Sequence, residues 1–250
     1  MSTVILAGRR VLPRGYGDFI RQLAIWFGFY VAYQVARGLA DRDAARAFEN
    51  GLKVIDIERR AGVLFELSLQ GFLSSSELLI RLTSWTYWLS QFALLGLALL
   101  WVYVRRNESF LRFRNTVLVA NSIGLIGYIA LPTAPPRMFP DFGFVDTLAL
   151  FSNLNHGSAA IQFASNPYAA MPSLHAADAL IVGVAMALIV RRPIFKLLWL
   201  AWPVWVSFAV IATGNHFWLD IAAGIAVAAL GAAIVFRREL RPLALRVRLN

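Results

Sequence analysis

The residues best suited to chemistry are three histidines, His156, His175 and His216, all in the second half of the chain. Asp220 follows His216 by four positions, which puts the pair on one helix face a turn apart. A carboxylate bonded to one imidazole nitrogen fixes the tautomer and leaves the other nitrogen free to attack an electrophile. A helix start also disfavours nearby positive charge, which helps keep that imidazole neutral and nucleophilic. Ser173, just after Pro172, sits where a helix N-cap belongs, and the free N–H groups behind it make an anion site. His175, at the same place, is positioned to protonate a leaving alkoxide. Arg137, in Pro135-Pro136-Arg137, offers a permanently charged planar fork to phosphate oxygens. Together these parts suit in-line phosphoryl transfer, in which positioning and charge stabilisation carry most of the catalysis.

Each residue also has a plainer reading. A histidine at a membrane interface can be a polar anchor, and an intramembrane aspartate such as Asp220 can stitch two helices together. Arg137 can be a solvated loop charge, Ser173 a simple cap, and Asp178 a support for its helix N-terminus. His156 lies mid-loop in Ser152-Asn153-Leu154-Asn155-His156, where position alone argues against a special role.

The elements that must hold these residues are set by lipid. Hydrophobic residues make up 59% of the 250-residue chain and charged residues only 15%. Soluble domains carry about a quarter charged residues, so the main solvent here is a membrane. There are no cysteines, which excludes disulfides, thiolate metal sites and a cysteine nucleophile. The net charge of +10 sits beside apolar runs, as cytoplasmic loops do, and no nucleic-acid-binding motif accompanies it.

Six stretches are candidates to span the bilayer: Phe19–Val35, Trp85–Val104, Val117–Leu131, Ala176–Val190, Ile194–Ile211 and Phe217–Phe236. The expected fold is all-α, a single polytopic membrane domain over residues 1–250 with six transmembrane helices. An amphipathic segment from Arg42 to Lys53 falls between the first two spans, and it either lies on the membrane surface or packs as an extramembrane helix pair. Arginine and lysine cluster before the first span, at Arg105–Arg114, at Arg191–Lys196 and in the tail. That alternation predicts cytoplasmic termini and extracytoplasmic histidines, in the cell membrane. The long connection from Pro132 to Pro172 carries a proline cluster and reads as a folded loop with stiff corners.

Pro172-Ser173-Leu174-His175, His216-Phe217-Trp218-Leu219-Asp220 and Pro135-Pro136-Arg137 together resemble the three motifs of the type-2 phosphatidic acid phosphatase (PAP2) superfamily over about residues 115–235. Leu174 stands where that family has glycine, and Ala209-Val210 where its third motif opens with Ser-Arg. The leading lysine and the Arg-Pro ending of the first motif are missing, which leaves fewer cations for phosphate. With Thr213-Gly214-Asn215 before His216, the variant motifs are similar to the inositol phosphorylceramide and sphingomyelin synthase branch. The resemblance implies a membrane lipid-phosphate phosphatase or phosphotransferase that needs no cofactor or metal. By it, His216 is the nucleophile that becomes a phosphohistidine, Asp220 its orienter and His175 the acid. Arg137 and Ser173 hold phosphate, and the substrate is a lipid phosphate or phospholipid. Two other classes compete. A zinc-dependent membrane amidase or esterase would use His156, His175, His216 and an aspartate. A non-catalytic transporter would show broken or repeated spans.

Overall fold

Long apolar segments in lipid commit a chain to helix, because helical hydrogen bonds satisfy each backbone group within its own segment. The computed structural model describes residues 12–39, 43–151 and 166–247. Their helices, in chain order, are α1 (Gly15–Leu39), α2 (Ala44–Arg60), α3 (Glu66–Ser74) and α4 (Glu77–Leu89). A π-turn (Ser90–Leu94) joins α4 to α5 (Leu95–Arg105), and α6 (Asn107–Ala130) follows. Short 3-10 turns at Pro136–Met138 and Pro140–Phe142 lead to α7 (Thr147–Phe151). The last three helices are α8 (Leu174–Ile189), α9 (Pro193–Ala212) and α10 (Trp218–Val247). His156 and most of the loop around it lie outside the described residues.

Three of the described helices are long and apolar enough to cross a membrane: the continuous Glu77–Arg105 unit, α9, and the Trp218–Glu239 part of α10. Helix α8 is apolar but shorter. Helices α1 and α6 have 25 and 24 residues, yet polar residues such as Gln22 and Asn121 interrupt their apolar runs. The observed helices outrun several expected spans. The second starts at Glu77 instead of Trp85, and the third at Asn107 instead of Val117, because Ser76 caps the one and polar first turns extend both.

The segment between α1 and the Glu77–Arg105 unit forms α2 and α3, each packed against other parts of the chain. Helix α2 carries Ala47, Val54 and Ile55 on one face, and that face buries against Ala134, Phe139, Phe144 and Phe217. The proline-rich loop is thereby clamped from above, and Thr133 pairs with Ala169 to close its base.

Helix α8 is the centre of the bundle, in contact with α6, α9, α10, the π-turn and α5. Small residues let its neighbours approach closely, as at membrane helix seams. A Cβ on Gly127 of α6 would lie 2.6 Å from Pro172 Cδ, and one on Gly124 would strike the Leu174 side chain. On α10, a Cβ at Gly224 would run into the Ser173 carbonyl oxygen, which is backbone and cannot swing aside. Gly224→Ala is therefore expected to cost about 1–3 kcal/mol as an overpacking change and to displace the start of α8. Thermal unfolding of the purified protein in detergent checks this; an unchanged midpoint would refute the close packing.

The first turn of α10 is held by an acidic collar. Phe217 N donates to Asp220 Oδ2 at 2.9 Å, Trp218 N to Glu66 Oε1 at 2.9 Å and Leu219 N to Glu58 Oε1 at 3.1 Å. Three first-turn N–H groups, which have no partner within the helix, thus each bond a separate carboxylate. Glu58 and Glu66 are fully buried. Burial, and then the neighbouring Glu66 carboxyl, push Glu58 up to about 9. A folded-state pKa above the unfolded carboxylate range means that Glu58's contribution is complete below about pH 4 and is lost as pH rises toward 9. The melting temperature of the wild type should accordingly fall across that window, and Glu58→Gln, which keeps the acceptor and a donor without a charge, should flatten the profile. Identical pH profiles for the two proteins would contradict the raised Glu58.

Candidate active site

Three chain segments meet at one end of the bundle, where α1 and α6 finish and α8 and α10 begin. The turn Thr213–His216 comes off α9 and is fixed by its own backbone. Asn215 N and His216 N both donate to Val210 O, at 3.0 and 3.1 Å, and Asn215 Nδ2 donates to Thr213 Oγ1 at 2.8 Å. Gly214 has φ +74°, where a side chain is strained, and a Cβ there would also meet Val145 O at 2.7 Å. The proline loop docks on this turn: Arg137 N donates to Gly214 O at 2.9 Å, and Arg137 Nη1 to Asn215 Oδ1 at 2.7 Å.

His216 is 4% exposed, and its Nδ1 lies 3.3 Å from Asp220 Oδ2, the expected one-turn pairing. Asp220 is fully buried and acts twice more. Its Oδ2 accepts from Phe217 N, and its backbone carbonyl accepts from Ser173 N at 2.9 Å. Ser173 therefore ties the start of α8 to the first turn of α10. Its Oγ also caps α8, 3.4 Å from Ala176 N. Ser173 is itself fully buried and does not line the cleft described next.

His175 opens α8 across from His216, with ring centroids 5.8 Å apart and planes at 61°. Tyr87 holds it from behind, the two rings stacked at 4.6 Å and 23°. Both histidines line one small polar cleft with Arg137, Arg37, Gln91 and Asn166. Gln91 belongs to the π-turn; such turns often mark functional positions because they re-aim a side chain within a helix. Asp178 lies one turn beneath His175, is buried, and accepts from Asn121 Nδ2 at 2.7 Å. It does not line the cleft and braces the helix below it.

Sequence reasoning picked out His175, His216, Asp220, Arg137 and Ser173, and the fold gathers all five. It did not find Arg37, Tyr87, Gln91, Asn166, Glu58 or Glu66. For Glu58 a signal existed: it recurs on the apolar face of α2 with Ala47, Gly51, Val54 and Ile55, where a lone carboxylate needs a partner. Arg37 follows the last apolar residues of the first span and read as an ordinary flanking charge. Among the described residues no group of three His, Cys, Asp or Glu side chains is arranged to hold a metal. The zinc reading depended on His156, which is not among them.

The profile of the PAP2 superfamily matches residues 52–234. The chain is also 30% identical over 171 residues to a phosphoinositol dihydroceramide synthase from Bacteroides thetaiotaomicron, an alignment covering 58% of this chain and 50% of the relative. The chain thus spans half the length of that curated relative. No solved structure matches it. With the family profile extending from α2 to α10 and enclosing both histidines, the chain belongs to the PAP2 superfamily.

Proposed function

We propose that this protein is an integral membrane phosphotransferase or phosphatase for phosphate-bearing lipids, working through a phosphohistidine on His216. The observation that carries the proposal is the pairing of His216 with buried Asp220 while the His175 ring stands 5.8 Å away across the cleft. The two histidines are held differently, and that difference supports different roles for them. His216 has a carboxylate on Nδ1, which presents Nε2 as the nucleophile and offsets the positive charge that forms on the ring. His175 has no carboxylate partner among the described residues; a stacked aromatic ring orients it, which suits proton transfer.

In the first step Nε2 of His216 attacks phosphorus and the bond from phosphorus to the lipid oxygen breaks. His175 gives its proton to the departing oxygen. In the second step an acceptor hydroxyl surrenders its proton to His175 and attacks phosphorus, and the bond to His216 breaks. Arg137 neutralises phosphate oxygens, and Ser173 contributes through the helix start it builds. Water as acceptor gives a phosphatase, and a lipid alcohol gives a transferase. Similarity to the phosphoinositol dihydroceramide synthase favours the transferase.

The proposed topology has six spans, α1 and α6 included. Their outward surfaces are apolar at Ile20, Phe27, Val31, Ile126 and Ile129. The clusters at Arg105–Arg114 and Arg191–Lys196 lie at the opposite end of the bundle from the cleft, which supports a site at the extracytoplasmic face.

Purified protein should be incubated with radiolabelled lipids from phosphatidic acid and polyprenyl phosphates to phosphoinositides, with free phosphate and new lipid products both measured. The wild type is expected to form an acid-labile, alkali-stable phosphoenzyme that His216→Ala lacks, with turnover reduced about 10³-fold or more. Full turnover by that variant would end the nucleophile assignment. His175→Ala should slow turnover by about 10²–10⁴-fold, the usual range for a lost general acid, and slow it less for substrates with better leaving groups. Equal losses across leaving groups would argue against its acid role.

A further inference from the structure

The sequence motifs leave the phosphate site short of cations, with Arg137 alone where the family pattern has more. The fold makes the shortage worse. Arg137 Nη1 is committed to Asn215 Oδ1, and Arg137 Nε lies 3.6 Å from Asp146 Oδ2, which offsets part of its charge. A dianionic or monoanionic phosphate held by this arginine alone would be poorly neutralised.

Two buried donors line the same cleft with no acceptor among the described residues. Arg37, in the last turn of α1, has its guanidinium 5.9 Å from the centre of the Tyr128 ring, and its Nε is buried with no hydrogen-bond partner. It forms no ion pair with a described carboxylate. Asn166 is 2% exposed; its Oδ1 accepts from Tyr168 N at 2.9 Å, which fixes the amide's orientation, and its Nδ2 is left without a partner. Buried N–H donors without acceptors are costly, and a cation inside a membrane bundle is rarer still unless it faces a functional anion. Both donors stand with His175 and His216 around one space.

We propose that Arg37 and Asn166 form the second half of the phosphate-binding site. Arg37 supplies the cation that the motifs lack, and Asn166 Nδ2 a neutral donor, both to the non-bridging oxygens of the group transferred to His216. The assignment rests on the phosphoryl-transfer reading above. It also gives α1, which lies before the region matched by the family profile, a direct part in substrate binding.

The test uses the full chain in detergent, with two readouts: thermal stabilisation by inorganic orthophosphate, and KM and kcat on whichever panel lipid the wild type turns over. Arg37→Gln and Asn166→Asp should each abolish most of the orthophosphate shift. Arg37→Gln should raise KM about tenfold or more, the loss expected for a hydrogen bond to a charged group. Arg37→Lys should fall between, and millimolar guanidinium should restore part of the Arg37→Gln loss. Asn166→Asp keeps the acceptor for Tyr168 N and removes only the Nδ2 donor. A folded Arg37→Gln with the wild-type phosphate shift and KM would overturn the proposal. So would a lesion there that neither lysine nor guanidinium repairs, which would mark a packing role. If the wild type is neither stabilised by orthophosphate nor active on any lipid, the phosphoryl-transfer reading falls first; if it shows both, the variants alone decide this one.

Discussion

Asp220 is the residue on which the arrangement depends, because three separate constraints end on it. One carboxylate oxygen receives both the His216 ring and the Phe217 N–H, and its backbone carbonyl receives the Ser173 N–H. The first contact orients the His216 ring, the second starts a helix, and the third locks the beginning of α8 to the beginning of α10. His175 sits two residues beyond that lock, so the start of its helix is fixed relative to His216 by a backbone hydrogen bond. Two imidazoles on adjoining helix starts are held with the rigidity that the proposed phosphoryl transfer requires.

That lock survives only if the surroundings can bear a buried carboxylate. Asp220 Oδ1 has no hydrogen-bond partner among the described residues, and Glu58 and Glu66 crowd the same helix end. Three acids together would repel one another in a medium of low dielectric constant. The free N–H groups of the α10 first turn attract them, and burial raises Glu58 toward its neutral form, which lowers the repulsion. The helix start expected to discourage positive charge near His216 is therefore already saturated by anions. The field around that ring comes from the collar more than from a bare helix dipole.

Much of this was legible in the sequence for a definite reason. The His216 and Asp220 pairing is a local i, i+4 relation, and Ser173 capping α8 follows from residue type beside a proline. Helical class followed from apolar length, as did the three segments that the described helices show to be long and apolar enough to cross a membrane. The contacts that escaped are those between segments far apart in the chain. Glu58 and Glu66 meet α10 across more than 150 residues, and Tyr87 meets His175 across 88. Periodicity carries no information about such pairings. The amphipathic pattern of α2 was visible, but an apolar face looks the same whether lipid or a proline-rich loop will cover it. Only the loop's aromatic side chains, Phe139 and Phe144 with Phe217 behind them, decided the matter.

The polar groups inside this protein are satisfied unevenly. Several that build the scaffold have found partners inside the chain: Asn121 with Asp178, Thr213 with Asn215, Gln70 with the Val145 backbone. The N–H donors Arg37 Nε and Asn166 Nδ2 have not, and both sit at the cleft. Other buried polar atoms also lack hydrogen-bond partners, Trp218 Nε1 and Asp220 Oδ1 among them, so what marks out these two donors is their position. They stand with both histidines around one cleft, and that placement is what supports the proposed anion site.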